Sequence, residues 1–125
     1  MGWMRKVEPL RFVIQRHDRD GERPHWDLML ESGGILETYR LALPPERWRK
    51  EAIDAVKIFD HPLKFLSYEG SVNKGKGRVK IADCGTYHLI QSGENQKRIS
   101  FKGKKLHGEF LLSRIKENRW ELTGV

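Results

Sequence analysis

The stretch that most restricts the fold is His25-Trp26-Asp27-Leu28-Met29-Leu30-Glu31, in which polar and apolar residues alternate. Period-two alternation marks a half-buried strand, because successive side chains point to opposite faces of a sheet. His25, Asp27, Met29 and Glu31 therefore share one face, and Trp26, Leu28 and Leu30 share the other. The preceding segment, Arg11 to His17, also alternates, with Val13, Gln15 and His17 on one side. A hairpin joining the two strands brings His17 close to His25 and Asp27. Two imidazoles and a carboxylate with open positions suit a hydrated divalent metal such as manganese, iron or zinc. The competing reading is three polar residues on the wet face of a sheet.

Most of the remaining chain divides into short strands. Ile35 to Ala42 follows the tight turn Ser32-Gly33-Gly34 and completes a three-strand meander. Arg78 to Asp83 and Thr86 to Gln91 read as a strand pair around Cys84-Gly85, which puts Cys84 in a turn. Arg98 to Lys102, His107 to Ile115 and Arg119 to Thr123 read as three more strands. Leu63 to Tyr68 reads as short and extended. The one predicted helix spans Glu46 to Val56, after Pro44-Pro45, with Trp48, Ala52, Ala55 and Val56 at helical spacings. Regular short strands with a single helix predict a mainly β fold, a small antiparallel β-barrel with one flanking helix.

The length of 125 residues suits one core, so residues 1–9 are read as a basic lead-in, with Trp3 available to dock, and residues 10–125 as one domain. The 24 Lys and Arg outnumber the 17 Asp and Glu, a formal net charge of +7 that favours polyanions, nucleic acid first. The single cysteine, Cys84, excludes an intramolecular disulfide framework. No apolar run approaches the roughly 20 residues that a membrane helix needs, and Met1 to Glu8 lacks the apolar core of a secretory signal. A cytoplasmic monomer with no membrane association is expected.

The order of motifs resembles the 3'-phosphoesterase domain of bacterial DNA ligase D and its stand-alone relatives. The resemblance rests on Phe12-Val13-Ile14-Gln15-Arg16-His17, His25 to Glu31, Gly34-Ile35-Leu36 and Asp60-His61-Pro62-Leu63. It continues through Tyr68-Glu69-Gly70, Asp83-Cys84-Gly85-Thr86-Tyr87, Phe101, Gly103-Lys104-Lys105-Leu106-His107-Gly108 and Leu112-Ser113-Arg114. It implies a β-barrel enzyme that uses Mn²⁺, or another divalent ion such as Zn²⁺ or Co²⁺. Such an enzyme acts on 3' ends of DNA or RNA primer strands. It removes a 3'-phosphate or a terminal ribonucleoside and leaves a hydroxyl for polymerase and ligase partners. Carried over, the implied metal ligands are His17, His25 and Asp27, and the implied contact to the scissile phosphate is His61.

The chain departs from the family pattern in places that matter. The family's histidine pair is His17-Asp18 here, so either His17 shifts into the ligand position or Asp18 fills it. The family arginine two residues after the aspartate is Met29, a lysine aligns near Leu43, and a tyrosine aligns with Phe65. Candidate replacements for the lost phosphate contacts are Arg16, Arg23, Arg40 and Lys74. The basic loop Lys74-Gly75-Lys76-Gly77-Arg78 lacks the Walker spacing and reads as a non-specific phosphate clamp or a solvated hairpin. Asp18, Glu31 and Glu69 are candidates to orient a histidine from behind. His88 and His107 read as structural or surface residues. The alternatives to the enzyme are a module that binds nucleic-acid ends without turnover and a phosphoesterase for another substrate.

Overall fold

The computed structural model describes residues 9–125; of the expected lead-in, Met1 to Glu8, with Trp3, lie outside the described residues. Among the described residues there are nine strands. They are β1 (Leu10–Arg19), β2 (His25–Ser32), β3 (Ile35–Leu41), β4 (Ile53–His61), β5 (Gly70–Val72), β6 (Gly77–Ser92), β7 (Gln96–Gly103), β8 (His107–Lys116) and β9 (Arg119–Gly124). Their order is β1-β2-β3-β4-β9-β8-β7-β6, and β6 pairs back onto β1, closing an eight-stranded antiparallel barrel with β5 added outside the ring. Closure removes the long unpaired edges that an open sheet of this size would present. No helix of the described residues is long and apolar enough to cross a membrane.

The barrel interior collects the inward residues of every strand. Phe12 and Ile14 of β1, Trp26, Leu28 and Leu30 of β2, and Tyr39 and Leu41 of β3 meet Phe110, Leu112, Trp120 and Leu122 from the far wall. The alternation that predicted β2 thus sorts its side chains as expected. Its outer face is not wet throughout, however. Val13, Met29 and Leu36 are fully buried there under Leu63, Phe65 and Leu66, which form a one-turn 3₁₀ segment, Leu63–Leu66. Burying Met29 and Leu36 in this second small core is worth about 1.5–3 kcal/mol each. Gln15 fastens the cover: its Nε2 donates to the carbonyls of Phe65 (3.0 Å) and Tyr68 (2.9 Å).

Three local expectations are corrected. Glu46 to Val56 is not a helix; a 3₁₀ turn spans Pro45–Arg47 and the chain then enters β4 at Ile53. From Ile53 to Val56 burial alternates, with Ile53 and Ala55 inside and Asp54 and Val56 outside, and β4 joins β3 to β9. Ladder pairing on both sides outweighs the weak helical spacing of Trp48, Ala52 and Ala55. The second correction concerns Leu63 to Tyr68, whose first four residues are the 3₁₀ turn rather than extended chain.

Third, Cys84-Gly85 is not a turn but the middle of β6, a single strand paired with β1 on one side and β7 on the other. Gly85 is needed for close approach, since a Cβ there would sit 2.1 Å from the Lys102 carbonyl oxygen. The neighbouring Asp83 is buried and accepts backbone N–H groups from Cys84, Lys104, Lys105 and Leu106. It therefore anchors the β7–β8 connection.

Candidate metal centre and cleft

Cross-strand register builds the site on the outer face of β1–β4. His17 pairs with His25; Gln15, Asp27, Arg40 and Val56 form the next row; Val13, Met29, Thr38 and Ile58 form the one after. Side chains in one row stand about 4.5–5.5 Å apart at Cβ, so polar groups in the first two rows converge. His17 Nδ1 lies 2.9 Å from His25 Nε2, and Asp27 Oδ2 is 3.8 Å from that same His25 nitrogen. One donor atom from each of the three residues lies within 4.8 Å of the others.

Arg40 reaches Asp27 from the neighbouring strand, with Nε 3.0 Å from Oδ1 and Nη2 3.3 Å from Oδ2. The Asp27 carboxylate is nearly buried while the arginine remains about one-third exposed, so the pair is a charge-assisted fork open on one side. Burial holds the pKa of both His17 and His25 below the ordinary imidazole value, with the Asp27 charge pulling the other way. The two rings are therefore neutral near pH 7, the state in which imidazole offers a lone pair to a metal. His17 Nε2 is buried without a hydrogen-bond partner, and a Cβ on Gly77 would approach it to 2.8 Å. Only glycine leaves that ring its present place.

His61 enters the same cleft from the end of β4. Its Nδ1 is 2.8 Å from Thr38 Oγ1, which also lies 3.1 Å from the Leu36 carbonyl oxygen. The hydroxyl donates to that carbonyl and accepts from Nδ1–H, which assigns the tautomer with Nε2 unprotonated in the neutral ring. Burial lowers the pKa of His61 as well, again opposed by Asp27. The ring stacks on Phe59 and meets Phe65 edge-on. The cleft has a volume of about 380 Å³ and is walled by Gln15, His17, Asp27, Arg40, Phe59 and His61, with Arg19 at its rim.

Of the other residues singled out in the sequence, Phe65 lines the cleft and the following do not. Lys74 and Lys76 border an adjoining depression that shares Arg19 with it and also contains Asp20 and Glu22. Arg16 lies on the opposite sheet face, paired with Asp18 (3.1 Å) and positioned over the Trp26 ring. Arg78 borders a separate hollow with Asp18 and Glu69, and the Glu69 carboxylate accepts the Ile81 N–H. Glu31, four residues along β2 from Asp27, is engaged by Arg11, whose hydrogen bond holds its pKa below the usual carboxylate value. Asp18, Glu31 and Glu69 therefore do not back either histidine. Met29 lies under the 3₁₀ cover rather than in the cleft. His88 and His107 are exposed.

Gln15, Arg19, Thr38 and Phe59 were not recognised as site residues from sequence. Gln15 and Arg19 carried a signal, since they share the β1 face of His17 at two-residue spacing. Thr38 and Phe59 carried none, because a register shift along β4 decides what faces them.

Sequence comparison identifies the family of this barrel. Residues 15–114 match the family described as DNA Ligase D 3'-phosphoesterase domain. The chain is 30% identical over 118 residues to the multifunctional non-homologous end joining protein LigD of Mycobacterium bovis, an alignment covering 87% of this chain and 15% of that protein. To the LigD of Pseudomonas aeruginosa it is 32% identical over 128 residues, covering 91% of this chain and 15% of the relative. The Mycolicibacterium smegmatis LigD is 30% identical over 127 residues, 88% of this chain and 16% of its own length. The chain thus spans about 15% of the length of these relatives. A family match across most of the barrel, which includes the histidine–aspartate hairpin, is decisive: the chain belongs to the DNA ligase D 3'-phosphoesterase domain family.

Proposed function

We propose that this domain is a divalent-metal-dependent phosphoesterase acting on 3' ends of DNA or of RNA primer strands, where it removes a 3'-phosphate or a terminal ribonucleoside. The observation that supports the reading best is the convergence of two imidazoles and a buried carboxylate, His17, His25 and Asp27, beside an open cleft. That donor set fits a borderline divalent ion, Mn²⁺ first and Zn²⁺ or Co²⁺ as alternatives. When bound, the ion would polarise a phosphoryl oxygen and offset negative charge at the reacting phosphorus.

The chain's own residues supply the rest. Arg40 uses two of its five N–H groups on Asp27, leaving the others for a phosphate oxygen. It thereby supplies, from β3, the guanidinium that Met29 cannot supply from β2. His61 presents Nε2 to the leaving or attacking oxygen while Thr38 holds its other nitrogen. Arg19, Lys74 and Lys76 form a basic rim for the strand backbone. The relatives are named multifunctional non-homologous end joining proteins, which supports reading the activity in DNA end-joining repair. We read the domain as monomeric and cytoplasmic in that role.

The test is product formation from a primer-template bearing a 3'-phosphate or a terminal ribonucleotide, with and without Mn²⁺, for wild type and His25→Ala. Metal-dependent product lost in the variant is expected. Absence of product from wild type with Mn²⁺ demonstrably bound would overturn the reading. Salt-sensitive binding without turnover would replace it with an end-binding module.

A further inference from the structure

Phe59 is not part of either buried core. It is 73% exposed, the largest exposure of any large hydrophobic side chain among the described residues. Core packing therefore does not select it. Its placement is nonetheless well defined. Thr38 and Ile58 are in register, and so are Leu36 and His61, so β4 carries one extra residue between the two pairs. This bulge releases Phe59 from the ladder beside His61. β4 pairs with β9 only over Ile53–Val56, which leaves the Phe59–His61 end at the barrel rim with β3 as its ladder partner. The Phe59 and His61 rings are stacked, 4.7 Å apart and 22° from parallel, and His61 is held in turn by Thr38 and Phe65. The result is an ordered, exposed aromatic plane at the mouth of the cleft.

The two lips of the cleft differ in chemistry. One carries the cations Arg40 and Arg19, the latter 3.3 Å from Glu22, with Lys74, Lys76 and Asp20 beyond Arg19. The other carries Phe59, with the apolar Val56 and Ile58 on the same strand. A phosphate finds cations at the first lip and none at the second. A nucleobase has a π-face for an aromatic plane and needs no cation there.

We propose that Phe59 is a stacking platform for the terminal nucleobase, so that the domain selects a base-bearing strand end over a bare phosphomonoester. The inference rests on the phosphoesterase reading and names what that site recognises besides phosphate. Stacking carries no hydrogen-bond code, so the preference is for the presence of a base and not for its identity.

The experiment compares wild type, Phe59→Ala and Phe59→Trp. The first measurement is fluorescence of 2-aminopurine placed as the terminal base of a 3'-phosphorylated primer-template, titrated in the absence of divalent metal so that nothing turns over. Quenching by wild type and Phe59→Trp, lost in Phe59→Ala, is expected. The second is kcat/KM with Mn²⁺ on matched primers whose 3'-phosphorylated terminal residue carries a base or is abasic. Wild type is expected to prefer the base-bearing end by roughly 5- to 150-fold, mostly through KM, and Phe59→Ala to lose that preference. Quenching without product would keep the stacking platform and overturn the phosphoesterase reading. Product with equal quenching and equal preference in wild type and Phe59→Ala would do the reverse. Thermal melts establish that the exposed substitution leaves the fold intact.

Discussion

Gly77→Ala tests the metal centre without touching any of its three donors. A methyl at position 77 would lie 2.8 Å from His17 Nε2, whereas ordinary contact begins at 3.4 Å, so something must yield by about 0.6 Å. The methyl cannot retreat, because the Asp18 carbonyl oxygen and Val72 Cγ2 are each 3.3 Å away. The ring cannot retreat either, because its Nδ1 already stands 2.9 Å from His25 Nε2. The imidazole must therefore rotate out of its place opposite His25. Overpacking of this kind costs about 1–3 kcal/mol, or about 3–5 °C in Tm per kcal/mol for a chain of this size. Misorienting one ligand should lower metal affinity by about 10- to 100-fold. Calorimetric titration with Mn²⁺, alongside thermal melts, reads both effects. Gly93→Ala is the control, since the nearest atom to its added methyl is the Gln96 carbonyl oxygen at 3.5 Å. If Gly77→Ala bound Mn²⁺ as tightly as wild type, His17 would not be a ligand and the centre would have to be redrawn.

Further predictions follow from the same contacts. Gln15→Leu removes both donors to the Phe65 and Tyr68 carbonyls and should cost about 1–3 kcal/mol for each group left unsatisfied. Hydrogen exchange should show the loss as early opening of residues 63–69; unchanged protection there would argue that hydrophobic cover alone holds the segment. Asp83→Ala leaves the N–H groups of Cys84, Lys104, Lys105 and Leu106 without their acceptor and should destabilise by about 3 kcal/mol or more in urea melts, with no selective effect on metal binding. The pH dependence has a definite sign. Burial lowers the pKa values of His17, His25 and His61 from 6.5, so on acidification the unfolded chain takes up protons before the folded one does. Metal-free stability should be fully present above that value and fall as the pH drops below it; a rise on acidification through that value would contradict it. Thr38→Val, which removes the hydroxyl that orients His61, should lower kcat by about 10-fold or more while leaving Mn²⁺ affinity unchanged.

Much of this molecule is written in local pattern. The alternation through His25 to Glu31 and its echo from Arg11 to His17 specify two strands, their facing sides and the meeting of His17, His25 and Asp27. That legibility has a simple cause: in a hairpin, register and side-chain face are both local properties. The sequence of short strands likewise determines a β-barrel. The failures are equally physical. Trp48, Ala52 and Ala55 keep helical spacing, yet β4 forms because two strands distant in sequence, β3 and β9, need a partner between them. Gly85 reads as a turn residue but is required by the Lys102 carbonyl, 17 positions further along the chain. The cleft itself depends on contacts of this longer range. Gln15 folds Leu63–Leu66 over Met29, Arg40 reaches Asp27 from the neighbouring strand, and one extra residue in β4 brings Phe59 beside His61. None of these has a period in the sequence, because each is settled by which strands lie side by side once the barrel has closed.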